Sequence, residues 1–130
     1  MSIHINILFV EDDPDDVMLI QQGFTRLGFT QYSFCANPTE AFEHLETLPD
    51  DELPTLIVCD YYMGSMNGLQ MLHQLKGHPR YENIPVFIYT GFITEELKTL
   101  LQQEGAVEVV KKDFDVELLG YQLIRFIELA

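Results

Sequence analysis

The chain alternates short runs of apolar, β-branched and aromatic residues with longer amphipathic stretches. Continuous apolar runs such as LIVC at 56–59 and VFIY at 86–89 are typical of strands covered on both faces, as strands in parallel sheets are. Because a helical pattern follows each strand-like run, the sequence predicts a parallel, doubly wound α/β sheet. The predicted strands are Ile3–Val10, Tyr32–Ala36, Leu56–Asp60, Pro85–Thr90 and Val107–Val110.

The helices between these strands have recognisable ends. Asp13-Pro14 and Asn37-Pro38 are each typical of a capping residue followed by proline at the first helical position. Gly28 and Gly105 stand where glycine commonly ends a helix. Apolar residues three and four apart predict the last two helices, with Leu97, Leu100 and Leu101 in one and Leu119, Leu123, Phe126 and Ile127 in the other. With no linker-like or low-complexity stretch, we expect a single domain over residues 1–130.

Composition argues against several classes of function. The 21 acidic and seven basic side chains give a net charge of −14, whereas binding to nucleic acid needs clustered Lys and Arg. Cys35 and Cys59 lie in apolar stretches without zinc-ligand spacing, so we expect two reduced core thiols. The N-terminal stretch lacks a cationic segment, and its apolar run is too short to cross a membrane. We therefore expect a cytoplasmic protein that binds neither nucleic acid nor membrane.

Polar residues follow the predicted strands at positions that a parallel sheet brings to one edge. Ligands of such sheets bind outside the carboxyl ends of the strands. The residues there are Glu11, Asp12, Asp60, Thr90, Lys111 and Lys112. Five acids crowd positions 11–16, and such a group is tolerable if it fans out into water or surrounds a cation. Asp13 is better explained as a helix cap, and Asp15 and Asp16 as an acidic first helical turn.

These residue types suit phosphoryl chemistry at a magnesium site. The carboxylates of Glu11, Asp12 and Asp60 are hard oxygen ligands, which Mg²⁺ prefers. A carboxylate at the tip of a buried strand, such as that of Asp60, can act as a nucleophile towards a phosphoryl group. A hydroxyl at Thr90 and an ammonium at Lys112 can then bind the remaining phosphoryl oxygens.

Four segments, in this order and spacing, resemble the receiver domain of two-component response regulators. They are ILFVEDD, LIVCDYYMGSMNG, VFIYTG and GAVEVVKKDF, and the resemblance covers essentially the whole chain. It implies the flavodoxin-like (βα)5 fold with strand order 2-1-3-4-5, as in CheY. It also implies that a sensor histidine kinase or a phosphotransfer protein donates a phosphoryl group with the help of Mg²⁺, and that a downstream protein partner binds one face.

The resemblance assigns roles to individual residues of the site. It implies that Asp60 is the phosphoacceptor. Asp12 is implied as the direct magnesium ligand, Glu11 as a second acid acting through water, and the backbone carbonyl of Tyr62 as a further ligand. Thr90 is the implied switch residue that follows the phosphoryl group.

The remaining correspondences concern the lysine and the loops around the site. The spacing from Gly105-Ala106 to Phe114 places Lys112, rather than Lys111, at the lysine position of the family. Gly91 matches a position where a small residue leaves the site open.

The sequence departs from the family pattern at several positions. Asp113 stands where proline usually follows the lysine with a cis bond, so we expect a trans bond and a reshaped loop here. Gly64 replaces another common proline, which loosens its loop. Val109 stands where an aromatic residue often rotates with the switch threonine. The aromatic rings of Tyr62 and Phe92 are expected either to shield the phosphoryl group from water or to fold onto the surface elsewhere.

We expect a stand-alone receiver domain that signals through the face formed by its fourth helix, fifth strand and fifth helix. A fragment of a longer protein is the alternative. Two other functions remain open: a pseudo-receiver that binds partners without being phosphorylated, and a magnesium phosphohydrolase with Asp60 as its nucleophile. Such hydrolases often carry an acid two residues after the nucleophile, where this chain has Tyr62. We therefore expect no enzymatic activity beyond the domain's own phosphotransfer and dephosphorylation.

Overall fold

The computed structural model describes residues 5–112 and 116–129. Its strands are β1 (Ile7–Val10), β2 (Tyr32–Cys35), β3 (Leu56–Cys59), β4 (Val86–Thr90) and β5 (Glu108–Lys111). Its helices are α1 (Pro14–Arg26), α2 (Pro38–Thr47), α3 (Gly68–Lys76), α4 (Glu95–Gln103) and α5 (Val116–Leu129). A short 3-10 turn at Asp50–Glu52 precedes β3. None of the helices in these ranges is long and apolar enough to cross a membrane.

The strands form one parallel sheet in the order β2-β1-β3-β4-β5, so the predicted fold class and strand order are confirmed. Side chains of alternate strand positions enter two separate cores, one on each face of the sheet. Helices α1 and α5 cover one face through Ile20, Phe24, Leu119 and Leu123. Helices α2, α3 and α4 cover the other face through residues such as Leu45, Leu72 and Leu101.

Strands β2 to β5 differ from the prediction by one residue at several ends, and β1 begins only at Ile7, so the prediction of Ile5 and Asn6 as strand residues is wrong. Strand β3 ends at Cys59, although the Asp60 N–H still donates to the Val10 carbonyl at 3.1 Å and keeps the chain beside β1. Strand β5 begins at Glu108 and extends to Lys111, since Lys111 still pairs with Thr90 of β4. The predicted strand residues Ile3 and His4 lie outside the described residues.

The predicted helix ends are confirmed. The Asp13 carboxylate accepts a hydrogen bond from the Asp15 N–H at 2.9 Å, and the Asn37 side chain accepts one from the Glu40 N–H at 2.9 Å. Gly28 follows α1 with a φ of +87°, a conformation that favours glycine. The first turn of α1 therefore starts at a fixed place beside the end of β1.

At the amino edge of the sheet, a lysine donates hydrogen bonds to neutral backbone oxygens. Lys76, the last residue of α3, donates from Nζ to the backbone carbonyls of Glu82 at 3.1 Å and Ile84 at 3.0 Å. Burial lowers the pKa of Lys76. These contacts fix the segment that leads into β4.

Candidate functional site

The carboxyl ends of two neighbouring inner strands bring the predicted acids together. Val10 of β1 lies opposite Cys59 of β3, so Glu11 and Asp60 leave the sheet side by side. The backbone of each is held, because the Glu11 N–H donates to the Cys35 carbonyl at 3.0 Å and the Asp60 N–H donates to Val10. The backbone of both acidic residues is therefore held by the sheet and not by a loose turn.

Three carboxylates converge at this edge of the sheet. One carboxylate oxygen from each of Glu11, Asp12 and Asp60 lies within 4.8 Å of the other two. Glu11 and Asp60 are buried, with 4% and 8% of their surfaces exposed, while Asp12 is open to solvent. A set of hard oxygens, two held firmly and one facing water, fits a magnesium ion that keeps part of its hydration shell.

Lys112 lies inside the acidic group. Its Nζ is 2.6 Å from Glu11 Oε2, 2.9 Å from Asp60 Oδ2 and 2.8 Å from Asp16 Oδ2. An ammonium group has three N–H donors, and here each finds a carboxylate. Lys111 is exposed, and Lys112 is the lysine that the structure brings to the acids of the site.

The charges of the site act on each other through a partly buried environment. Burial by itself would lower the pKa of Lys112, but its hydrogen bonds to Asp16, Glu11 and Asp60 outweigh that effect and raise the pKa. Burial raises the pKa of Glu11, and the hydrogen bond from Lys112 only partly opposes this. Burial, together with the charges of Asp60 and Glu11, raises the pKa of the Cys59 thiol to about 12, so Cys59 remains protonated at neutral pH.

Thr90 ends β4 with its side chain fully buried. Among residues 5–112 and 116–129 its Oγ1 has no hydrogen-bond partner, although the Thr90 carbonyl accepts the Lys112 N–H at 2.7 Å. Leaving a buried hydroxyl unpaired costs about 1–3 kcal/mol. An oxyanion that enters the site and accepts a hydrogen bond from this hydroxyl would therefore remove that cost.

Tyr62 and Phe92, the two aromatic residues considered as shields of a phosphoryl group, are both exposed. Tyr62 has 52% of its surface exposed, and its ring packs edge-on against Tyr61 at a centroid distance of 4.8 Å. Its N–H donates to Asp60 Oδ1 at 3.3 Å, while the role of its carbonyl as a metal ligand stays a prediction. Phe92 is 66% exposed, and the shielding of a phosphoryl group by these rings also stays a prediction. A side chain added at Gly91 would meet open space, consistent with an open entrance.

Sequence reasoning missed one member of the site. Asp16 does lie in the acidic first turn of α1, as predicted, but its carboxylate also bonds Lys112. The available signal was its place in the first turn of α1, because that helix starts directly after the acids at the end of β1. The predicted trans bond after Lys112 and the spacing marker Phe114 fall outside the described residues.

The sequence matches the family described as the response regulator receiver domain over residues 7–123. The chain belongs to this family. It is 32% identical over 113 residues to a probable cyclic di-GMP phosphodiesterase of Vibrio cholerae, covering 87% of this chain and 24% of that protein. It is 28% identical over 121 residues to the response regulator Rre1 of Synechocystis, covering 92% of this chain and 50% of that protein. The chain thus spans half or less of the length of these curated relatives.

Solved receiver domains have the same fold. The signal receiver domain of a signal transduction histidine kinase from Syntrophus aciditrophicus is 26% identical, with a TM-score of 0.80 over 96% of this chain and 91% of that one. The predicted family, fold and function as a receiver domain of two-component systems are therefore confirmed. Receiver domains of this family work with histidine kinases and phosphotransfer proteins.

Proposed function

We propose that this receiver domain accepts a phosphoryl group on the Asp60 carboxylate from a phosphohistidine of a sensor histidine kinase or a phosphotransfer protein. The observation that carries the proposal is the setting of Asp60. Its Oδ2 lies 2.9 Å from the Lys112 ammonium, and its carboxylate belongs to the group that converges within 4.8 Å. The nucleophile, a cation for the phosphoryl group and a set of metal ligands thus occur in one place.

The reaction is a displacement at phosphorus. An Asp60 carboxylate oxygen forms the new O–P bond while the donor's N–P bond breaks, and the imidazole nitrogen leaves with the electron pair. Lys112 and the Thr90 hydroxyl donate hydrogen bonds to the phosphoryl oxygens. These bonds stabilise the negative charge on those oxygens during the transfer. A Mg²⁺ ion held by Glu11, Asp12, Asp60 and the Tyr62 carbonyl would supply the positive charge that offsets repulsion between the acids and the phosphoryl oxygens.

The domain's output is proposed to be contact with a downstream protein. Large apolar side chains are exposed on α4 and α5 and directly before β5, namely Leu100 at 38%, Leu118 at 45%, Tyr121 at 57% and Val107 at 41%. The net charge of −14 disfavours direct contact with nucleic acid. The free, buried thiols of Cys35 and Cys59 are in keeping with a reducing cytoplasm, and we propose no enzymatic reaction on a separate substrate.

The test uses acetyl phosphate as a small phosphodonor. The protein is incubated with acetyl phosphate and Mg²⁺, and its intact mass is measured over time. We expect a single phosphoryl adduct that requires Mg²⁺ and is absent in Asp60→Asn. Asp51→Asn is the matched control, because it removes the same charge from an exposed position and should leave the adduct unchanged.

Two other results would overturn the proposal. A folded, Mg²⁺-binding protein that never gains the adduct would be a pseudo-receiver. Continuous release of phosphate over many turnovers, dependent on Asp60 but without an accumulating adduct, would instead indicate a phosphohydrolase.

A further inference from the structure

The contact between Asp16 and Lys112 sets Asp16 apart from the other acids of the site. Asp16 Oδ2 is 2.8 Å from Lys112 Nζ, and the Asp16 side chain is only 30% exposed. However, Asp16 is not one of the three acids whose oxygens converge within 4.8 Å. It therefore pairs with the lysine and not with the metal position.

The ammonium of Lys112 competes with a metal ion for two carboxylates. In Glu11, Oε1 accepts the Asp13 N–H at 3.1 Å, and Oε2 binds Lys112. In Asp60, Oδ1 accepts the Tyr62 N–H at 3.3 Å, and Oδ2 binds Lys112. Both oxygens of each carboxylate are thus engaged, so a metal ion that takes an oxygen from either acid must displace or share an existing hydrogen bond.

We propose that Asp16 is a positioning residue that holds the Lys112 ammonium while the metal ion engages Glu11 and Asp60. Asp16 gives the ammonium an anionic partner that the metal does not use. Lys112 then stays beside Asp60, ready for a phosphoryl oxygen, without blocking the metal ligands. This inference rests on the proposed function insofar as the metal ion and the phosphoryl group share the site.

Removing the Asp16 carboxylate is expected to weaken Mg²⁺ binding. In Asp16→Asn the Lys112 ammonium keeps only two anionic partners, Glu11 and Asp60. It therefore competes more strongly with the metal ion for these two carboxylates. We expect the Kd for Mg²⁺, measured by isothermal titration calorimetry, to rise by about tenfold, or ~1.4 kcal/mol. Asp15→Asn is the matched control, since it removes the same charge from the same exposed helical turn and should change the Kd by less than about twofold.

A second background separates positioning from a simple charge effect. Lys112→Gln alone removes the competing ammonium and should tighten Mg²⁺ binding. In the Lys112→Gln background, adding Asp16→Asn should change the Kd no more than Asp15→Asn does, because there is no ammonium left to hold. Asp16→Glu keeps a carboxylate in reach and should restore most of the affinity. Metal-free thermal unfolding checks that each variant folds, and Asp16→Ser replaces Asp16→Asn if the latter does not.

A failure of the positioning role of Asp16 can be distinguished from a failure of the proposed phosphorylation of Asp60. If Asp16→Asn behaves like Asp15→Asn, or loses the same affinity with and without Lys112, the positioning role is overturned. In that case the acetyl phosphate adduct on the unchanged protein still supports the proposed function. If the unchanged protein binds Mg²⁺ and shows the Asp16–Lys112 coupling but gains no adduct, the proposed function fails while the positioning role stands. If the unchanged protein binds no Mg²⁺, both fail.

Discussion

Two partly buried lysines at opposite edges of the same sheet face opposite surroundings. Lys76 donates to the neutral carbonyls of Glu82 and Ile84, whereas Lys112 donates to three carboxylates. Burial acts to lower the pKa of both lysines. Only Lys112 has enough anionic partners to reverse that effect, and its pKa is raised.

The difference separates a lysine that joins two segments of the fold from a lysine at the proposed phosphoryl site. Around Lys76 two ammonium N–H groups donate to neutral backbone carbonyls, and these bonds join the end of α3 to the segment before β4. Around Lys112 three carboxylates share one cation, which leaves an excess of two negative charges before Asp12 is counted. We expect such an excess to lower the stability of the metal-free protein and to favour binding of a second cation, a trade of stability for function.

The largest effect on stability should come from replacing each lysine in the metal-free protein. Lys112→Met leaves two buried carboxylates without their counter-ion, and we expect a loss of about 3–5 kcal/mol in the free energy of unfolding. Lys76→Met removes hydrogen bonds to neutral carbonyls, so we expect about 1 kcal/mol. Urea unfolding in the presence of a chelator measures both. Equal losses would mean that the two lysines are alike in their energetic roles.

The next largest effect should be the stabilisation of the folded protein by Mg²⁺, which depends on the edge of the sheet that carries Lys112 and not on the edge that carries Lys76. At about 100 times its Kd, a ligand that binds only the folded state stabilises it by about 2.7 kcal/mol. We expect this stabilisation in the unchanged protein and in Lys76→Met, but very little in Asp12→Asn. Thermal unfolding with and without Mg²⁺ provides the measurement. A full response in Asp12→Asn would remove Asp12 from the proposed ligand set.

Removing an excess negative charge should stabilise the metal-free protein. Asp12→Asn reduces repulsion among Asp12, Glu11 and Asp60, and we expect a gain of about 1 kcal/mol because Asp12 faces solvent, where charges about 4 Å apart interact at that level. Asp51→Asn, on the exposed 3-10 turn, should change the free energy of unfolding little. Destabilisation by Asp12→Asn would show that its charge is already compensated.

The smallest effect is expected at alkaline pH. There the contributions of the two lysines to the free energy of unfolding should change in opposite directions. The folded-state pKa of Lys112 is raised, so its stabilisation is complete below the unfolded value near 10.4 and is lost as the pH rises through the folded value. The folded-state pKa of Lys76 is lowered, so burial of its charge is a penalty that disappears as the pH rises through its folded value towards 10.4.

Urea unfolding of the unchanged protein and of both methionine variants between pH 8 and 11 tests this difference. The stability gap to Lys76→Met should widen with rising pH. The gap to Lys112→Met should hold until about pH 10.4 and narrow above it. Gaps that change in the same direction would contradict the assignment of opposite shifts.

The sequence predicted those parts of the structure that depend on local patterns. Apolar runs located the five strands, and Asp13 and Asn37 located two helix starts, because these signals act over a few residues. The convergence of Glu11, Asp12 and Asp60 was predictable because parallel strands place their carboxyl ends together. The strand order came from the resemblance and not from the pattern, since pairing is set by contacts between distant segments.

The partners of Lys112 were not predictable from local patterns. Its bond to Asp16 joins residues that are 96 positions apart and depends on the position of α1 relative to β5. The unpaired hydroxyl of Thr90 was equally hidden, because a threonine at a strand end is ordinary in a sequence and becomes informative only when its surroundings are known.

The position of β5 in the sheet has a mechanical consequence. Glu11 and Asp60 follow strands that are hydrogen-bonded on both sides, whereas β5, which carries Lys112 just beyond its end, pairs within the described residues with β4 alone. A displacement of the Asp60 end of the site would have to strain two ladders, but a displacement of the Lys112 end strains one. The half of the site that is held by two ladders therefore lies in the middle of the sheet, and the half held by one ladder lies at its rim, next to the surface proposed to bind a downstream protein.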